Sequence, residues 1–178
     1  MNDVIRAKSE AAAAAQEFSA GSAVRGVPVD VFAIAKEKNI NVVPADGLPD
    51  EISGFFKRYG KSDGRPVIVL NNSHSDTRKR FTLAHELGHF VLHSDPLDVV
   101  TEKIHFRMSS GASFDVNEVA ANAFAAELLM PMNVVGQELK TLFPEGFSLA
   151  QIDQAASTLA PKFDVSQDAM RYRIMSLV

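Results

Sequence analysis

The stretch Arg80-Phe-Thr-Leu-Ala-His85-Glu86-Leu-Gly-His89-Phe-Val-Leu-His93 constrains the chain more than any other. Phe81, Leu83, Ala84, Leu87, Gly88, Val91 and Leu92 make it apolar around most of a helical circumference, and such a helix is normally buried. Two histidines and a glutamate inside a buried helix need partners, because uncompensated buried polar groups are costly. On an α-helix, residues four apart differ by about 40° in azimuth and about 6 Å in height. His85 and His89 therefore project from one face and can bind one Zn²⁺, with Glu86 one step round and in reach of a water on that ion. A carboxylate there can deprotonate the water for attack on a peptide carbonyl. The bland alternative is a helix whose histidines are satisfied by core hydrogen bonds.

A catalytic zinc site usually takes three protein ligands and keeps one position open, so a third ligand must come from elsewhere. His93 continues the ladder but stands about 12 Å along the axis from His85, too far to share an ion on a straight helix. Asp95 lies six residues after His89, a placement that needs a sharp glycine turn between them, and Leu92 occupies that position. His105 sits in an unpatterned segment. Glu118 falls in a second helical pattern, Asp115-Val-Asn-Glu118-Val-Ala-Ala-Asn122-Ala-Phe-Ala-Ala-Glu127-Leu-Leu-Met-Pro131, with Ser113 or Asp115 as cap and Pro131 near its stop. Val119, Ala120, Ala123, Phe124, Ala126 and Leu128 give it a small apolar face suited to close packing on another helix. Glu118 and Asn122 are four apart, the spacing of a ligand and a partner whose oxygen accepts a ligating histidine's free N–H. The same spacing suits an ordinary first-turn glutamate favoured by the helix dipole.

These two segments resemble the ImmA/IrrE family of zinc metallopeptidases. Pro28-Val-Asp-Val-Phe-Ala-Ile-Ala, Ile40-Asn-Val-Val, Ile52-Ser-Gly-Phe-Phe and Phe163-Asp-Val-Ser-Gln-Asp-Ala-Met170-Arg-Tyr-Arg-Ile are also similar to it, so the resemblance runs over roughly residues 20 to 178. It implies a zincin-like core with one Zn²⁺ held by His85, His89 and Glu118, and Glu86 as general base. It implies as substrates helix-turn-helix transcriptional repressors, cleaved to derepress genes of mobile elements or stress responses. Some relatives are instead toxin–antitoxin components, and a non-catalytic module that binds a regulator is the remaining alternative.

The chain has 178 residues, 46% hydrophobic and 22% charged, enough for one domain with a sizeable core. It has no cysteine, which excludes disulfides, thiolate metal sites and cysteine nucleophiles. Nitrogen and oxygen ligands remain, which suit zinc and also permit manganese, cobalt or nickel. Net charge is −4 with no long basic run, which argues against direct nucleic-acid binding. The N-terminus shows no apolar segment with a cleavage site, and no apolar run reaches membrane length, so the chain reads as cytoplasmic.

The pattern predicts a single α+β domain over 1–178. Residues 1–26 are an N-terminal helix and linker, 27–131 the core, and 132–178 a C-terminal helical subdomain. The alanine-rich first helix, with a narrow stripe of Ile5, Ala12, Ala15 and Phe18, buries little and reads as a docking arm or a loosely attached one. Pro28 opens a helix over Val29 to Lys38. Strands at Ile40 to Pro44, Ile52 to Tyr59 and Val67 to Asn71 form a small, mostly antiparallel three-stranded sheet, with Val67 to Asn71 central. The strand at Ile52 to Tyr59 is expected at an exposed edge, where a substrate peptide adds as a further strand. Tyr59, His105 and Arg107 are candidates for oxyanion or substrate contacts. Helices at Met132 to Leu142, Ser148 to Ala160 and Ser166 to Leu177 follow. The last two, joined by Pro161-Lys-Phe-Asp-Val, read like a helix-turn-helix.

Overall fold

The computed structural model describes residues 2–23, 26–58, 65–92, 100–102 and 115–177. In chain order these hold α1 (Asn2–Ala20), α2 (Val31–Glu37), β1 (Asn41–Ala45), β2 (Gly54–Arg58), β3 (Pro66–Asn71), α3 (Asp76–Leu92), β4 (Val100–Glu102), α4 (Val116–Leu129), α5 (Met132–Leu142), α6 (Ile152–Phe163) and α7 (Gln167–Met175). A 3-10 turn at Leu149–Gln151 leads into α6. The fold is α+β, as the pattern predicts. Asp30 rather than Pro28 starts α2, because its carboxylate accepts from the Ala33 N–H and satisfies an otherwise orphaned helix donor. No single described helix is long and apolar enough to cross a membrane.

The sheet differs from expectation. Its order is β1-β3-β2-β4, with β1 parallel to β3 and β2 antiparallel to both β3 and β4. Among the three longer strands one interface is parallel and one antiparallel, so the sheet is mixed rather than mostly antiparallel. β3 is central, as its continuous apolar run suggests. β2 is not an edge: β4 pairs with it from Gly54↔Glu102 to Phe56↔Val100. The edges among the described residues are β1 and β4, and the expectation of a peptide-binding edge on β2 is overturned.

The motif helix α3 covers one face of this sheet. Contact is close at Gly54, where a Cβ would lie 2.6 Å from the Val69 carbonyl oxygen and 2.7 Å from Thr82 Cγ2. Further along, the rings of Phe56 and Phe90 meet at 5.8 Å. The β2 end of the sheet therefore lies beside the residue that follows His89.

α4 buries Ala120, Ala121, Phe124, Ala125, Glu127, Leu128 and Leu129, which leave it no wide polar face. A helix of that kind must be covered on more than one side. α3 covers one side and α1 another. Of the two alternatives for α1, the structure shows the docked one. Ala11 and Ala15 are fully buried, Phe18 meets Phe124 edge-on at 5.7 Å, and Gln16 Nε2 donates to Glu127 Oε1 at 2.8 Å. Ile5, expected in the stripe, is instead 63% exposed. Small side chains bury little area each but let backbones approach, so the contact is tight where a larger residue would hold the helices apart.

The C-terminal helices are fastened to the core by two arginines. Buried Arg173 on α7 donates to Glu127 and, through Nε, to the Met130 carbonyl at 2.7 Å. Arg80 on α3 donates to the Val29 carbonyl at 2.9 Å and to the Asp164 carbonyl at 3.0 Å. Pro161 lies inside α6 rather than in the linker. The helix ends only at Asp164, whose φ of 53° is left-handed, with the Val165 N–H returning to the Ala160 carbonyl at 3.1 Å. That 6→1 bond is a helix stop usually built on glycine. Here Arg80 grips the aspartate that takes glycine's place, with Nε also 3.0 Å from Asp164 Oδ2.

Candidate metal centre

α3 starts with Asp76 in its first turn, where a carboxylate suits the helix dipole, and Asp76 pairs with Lys79 at 2.9 Å. From Thr82 to His89 every residue of α3 is buried. The helix thus carries His85 and Glu86, both fully buried, and His89, nearly so, into the interior between the sheet and α4. α4 starts at Asp115, whose side chain accepts from the Asn117 N–H at 2.9 Å. That cap places Glu118 in the first turn, 36% exposed, at the mouth of the same space.

The two helices bring three donors together. His85 Nε2 and His89 Nε2 are 3.0 Å apart. Glu118 Oε2 lies 3.5 Å from His85 Nε2, and Oε1 lies 3.3 Å from His89 Nε2. On the far side of its ring, His85 Nδ1 faces Asn122 Oδ1 at 3.1 Å. An amide oxygen only accepts, so Nδ1 is the protonated nitrogen and the Nε2 lone pair faces the other two donors. His85, His89 and Glu118 are the one group among the described residues able to hold a metal ion. Of the residues the spacing singles out, the structure brings His85, His89, Glu118 and Asn122 together, and it buries Glu86 fully on the same helix as the two histidines. Tyr59, His93, Asp95, His105 and Arg107 lie outside the described residues.

One residue of the site escaped sequence reasoning. A Cβ on Gly88 would lie 3.1 Å from Ala121 Cα and 3.2 Å from both the Ala121 carbonyl oxygen and Phe124 Cβ. Gly88 is therefore the point where α3 and α4 cross. Glycine inside a helix costs about 1 kcal/mol relative to alanine, so a glycine between two histidines was itself a signal of close backbone approach.

The family described as the IrrE N-terminal-like domain, a peptidase family, matches residues 35–175. The chain belongs to this family. Among relatives, an uncharacterized immunity region protein 2 of Bacillus phage phi105 is 39% identical over 113 residues, covering 63% of this chain and 65% of that protein. The radiation response metalloprotease IrrE of Deinococcus radiodurans is 36% identical over 94 residues, 53% of this chain and 28% of that one. Its namesake in Deinococcus deserti is 33% identical over 116 residues, 62% of this chain and 41% of that one. The chain thus spans between about a quarter and two thirds of these relatives' lengths. The match leaves out α1 and most of α2, although α1 packs on the helix that carries Glu118.

Proposed function

We propose that the chain is a zinc-dependent endopeptidase, with His85, His89 and Glu118 holding the ion and Glu86 as general base. The observation that carries this reading is the clustering of the three side chains, the two Nε2 atoms 3.0 Å apart and the Glu118 carboxylate reaching His85 Nε2 with one oxygen at 3.5 Å and His89 Nε2 with the other at 3.3 Å. A tetrahedral zinc ion with bonds of about 2.0–2.1 Å spaces its ligands about 3.3–3.4 Å apart. The donor set fits the ion in number, chemistry and spacing. Bound there, zinc supplies the Lewis acidity that polarises a peptide carbonyl and acidifies water. Glu86 takes a proton from the water that adds to the carbonyl carbon, and returns it to the amine as the C–N bond breaks. Asn122 holds the His85 ring in one tautomer and orientation through Nδ1.

For substrate, the reading is a helix-turn-helix repressor whose cleavage derepresses mobile-element or stress genes. One relative is named for an immunity region and another for a radiation response, and both names suit a peptidase acting on a regulator. Nucleic acid is a poor partner for the α6–α7 pair. Its three basic residues already have acidic partners: Lys162 with Glu138 at 2.6 Å, Arg171 with Asp153 at 2.8 Å, and Arg173 with Glu127.

Metal content of the purified protein and of Glu118→Ala tests the centre. About one zinc per wild-type chain, lost from the variant, is expected. Zinc retained by Glu118→Ala moves the third ligand elsewhere. Glu86→Gln is expected to keep its zinc and to lose cleavage of the repressor. Continued cleavage by that variant removes Glu86 from the role of base, and intact regulation without cleavage favours a protein that acts by binding.

A further inference from the structure

The ligand triangle spans two helices, so its size depends on how far apart the helices stand. That separation is set one turn away. Gly88 is three residues from His85 and adjacent to His89, and Ala121, which it touches, is three residues from Glu118. Two of the three atoms that a Gly88 Cβ would meet are backbone, the Cα and carbonyl oxygen of Ala121, and the third is the first side-chain atom of Phe124. None of these can rotate away. Any side chain at 88 must therefore move one helix against the other by a few tenths of an ångström. Interiors packed at crystal density transmit such a shift rather than absorb it.

We propose that Gly88 is a positioning residue that sets the size of ion the centre accepts, by holding α3 and α4 at the separation a small ion needs. This rests on the metal-centre reading above. Gly88 touches neither ion nor substrate. It acts through the distance from Glu118 on α4 to His85 and His89 on α3. Widening the crossing lengthens the two inter-helix edges of the triangle and leaves the His85–His89 edge, internal to α3, as it is. A wider triangle disfavours zinc and tolerates cadmium, which forms longer bonds with the same filled d shell and so reports size without a change in preferred geometry.

The test is chelator competition for Zn²⁺ and Cd²⁺ with wild type, Gly88→Ala and Ile174→Val, the last a core control on α7. Gly88→Ala is expected to bind zinc about tenfold more weakly, the scale seen when metal ligands lose their support, and cadmium with much less loss. The cadmium-to-zinc affinity ratio then rises about fivefold or more, while Ile174→Val leaves it unchanged. Equal loss of both ions, or no loss of either, overturns the proposal, because loosened folding alone has no size preference. Metal binding and folding are coupled, so refolding keeps the proposal testable even where Gly88→Ala does not fold unaided. Cadmium is then expected to restore the fold where the same concentration of zinc does not, and rescue by both ions alike or by neither counts against the proposal. A wild type that binds neither ion overturns the metal centre itself, a result distinct from a wild type that binds zinc with a ratio indifferent to residue 88.

Discussion

Arg173→Met is expected to be among the most damaging single changes outside the metal centre. The arginine is 8% exposed and its partner Glu127 is 3% exposed, so the substitution leaves a buried carboxylate whose remaining donors among the described residues are the Gln16 amide at 2.8 Å and the Met132 N–H at 3.4 Å. Stranding one member of a buried ion pair costs about 3–5 kcal/mol. The Met130 carbonyl also loses its donor, for about 1 kcal/mol more. The sum, roughly 4–6 kcal/mol, is a large share of the ~5–15 kcal/mol by which domains are stable. For a chain of this length it lowers Tm by roughly 8–24 °C. Glu127→Leu alone strands the arginine and should cost a similar amount. The double variant removes both charges and should recover most of the loss, because the two residues act as one unit. Urea denaturation of the four proteins, with m-values compared, reads the cycle. A loss below about 1 kcal/mol for Arg173→Met, or a double variant as unstable as the two singles added, refutes an anchoring role for this pair on α4.

Asn122→Ala should fold normally and weaken metal binding by about 10–100-fold, since it frees the His85 ring without removing a ligand; chelator titration reads it. His74 predicts a pH dependence remote from the metal centre. Its ring is buried with Nε2 facing the Asp50 carbonyl at 3.2 Å, and burial, with the Arg78 guanidinium adding to it, holds its pKa below the usual histidine range. Below about pH 6.5 the unfolded chain therefore takes up a proton that the folded chain resists. Stability is full above that value and falls as pH drops towards the lowered folded pKa. His74→Gln keeps an N–H for Asp50 and does not titrate, so its stability should fall less than wild type's between pH 7 and pH 5.

The two site helices were legible because each carries its own signal. α3 is apolar nearly all round with histidines at helical spacing, and α4 has a carboxamide one turn beyond a carboxylate. The sheet was legible only in part. An alternating or continuous apolar run says which face is buried, but not which strand lies alongside or in which direction. The parallel pairing of β1 with β3 skips over β2, and nothing local records it. β4 comes from a stretch without alternation, so the covering of β2 left no trace in the pattern. Proline at 161 read as a break because the glycine that usually ends a helix is missing. Asp164 takes that role only because Arg80, over eighty residues upstream, holds it there. The attachment of α1 was hidden for the opposite reason: alanine signals a helix and says little about what the helix touches.

That alanine face has a consequence for synthesis. Gln16 on α1 and its partner Glu127 are 111 residues apart. At about 5–20 residues per second, α1 leaves the ribosome roughly 5–20 s before the helix it packs on. A leucine-rich face held in water for that time would invite the wrong partner. Methyl groups expose little apolar surface, so α1 can wait at little risk and still fit closely once α4 arrives. Glu118 also emerges after both histidines, so the nascent chain has no complete ion-binding triangle until α4 is made. Any hydrolytic activity is therefore withheld from the growing polypeptide by the order in which its parts appear.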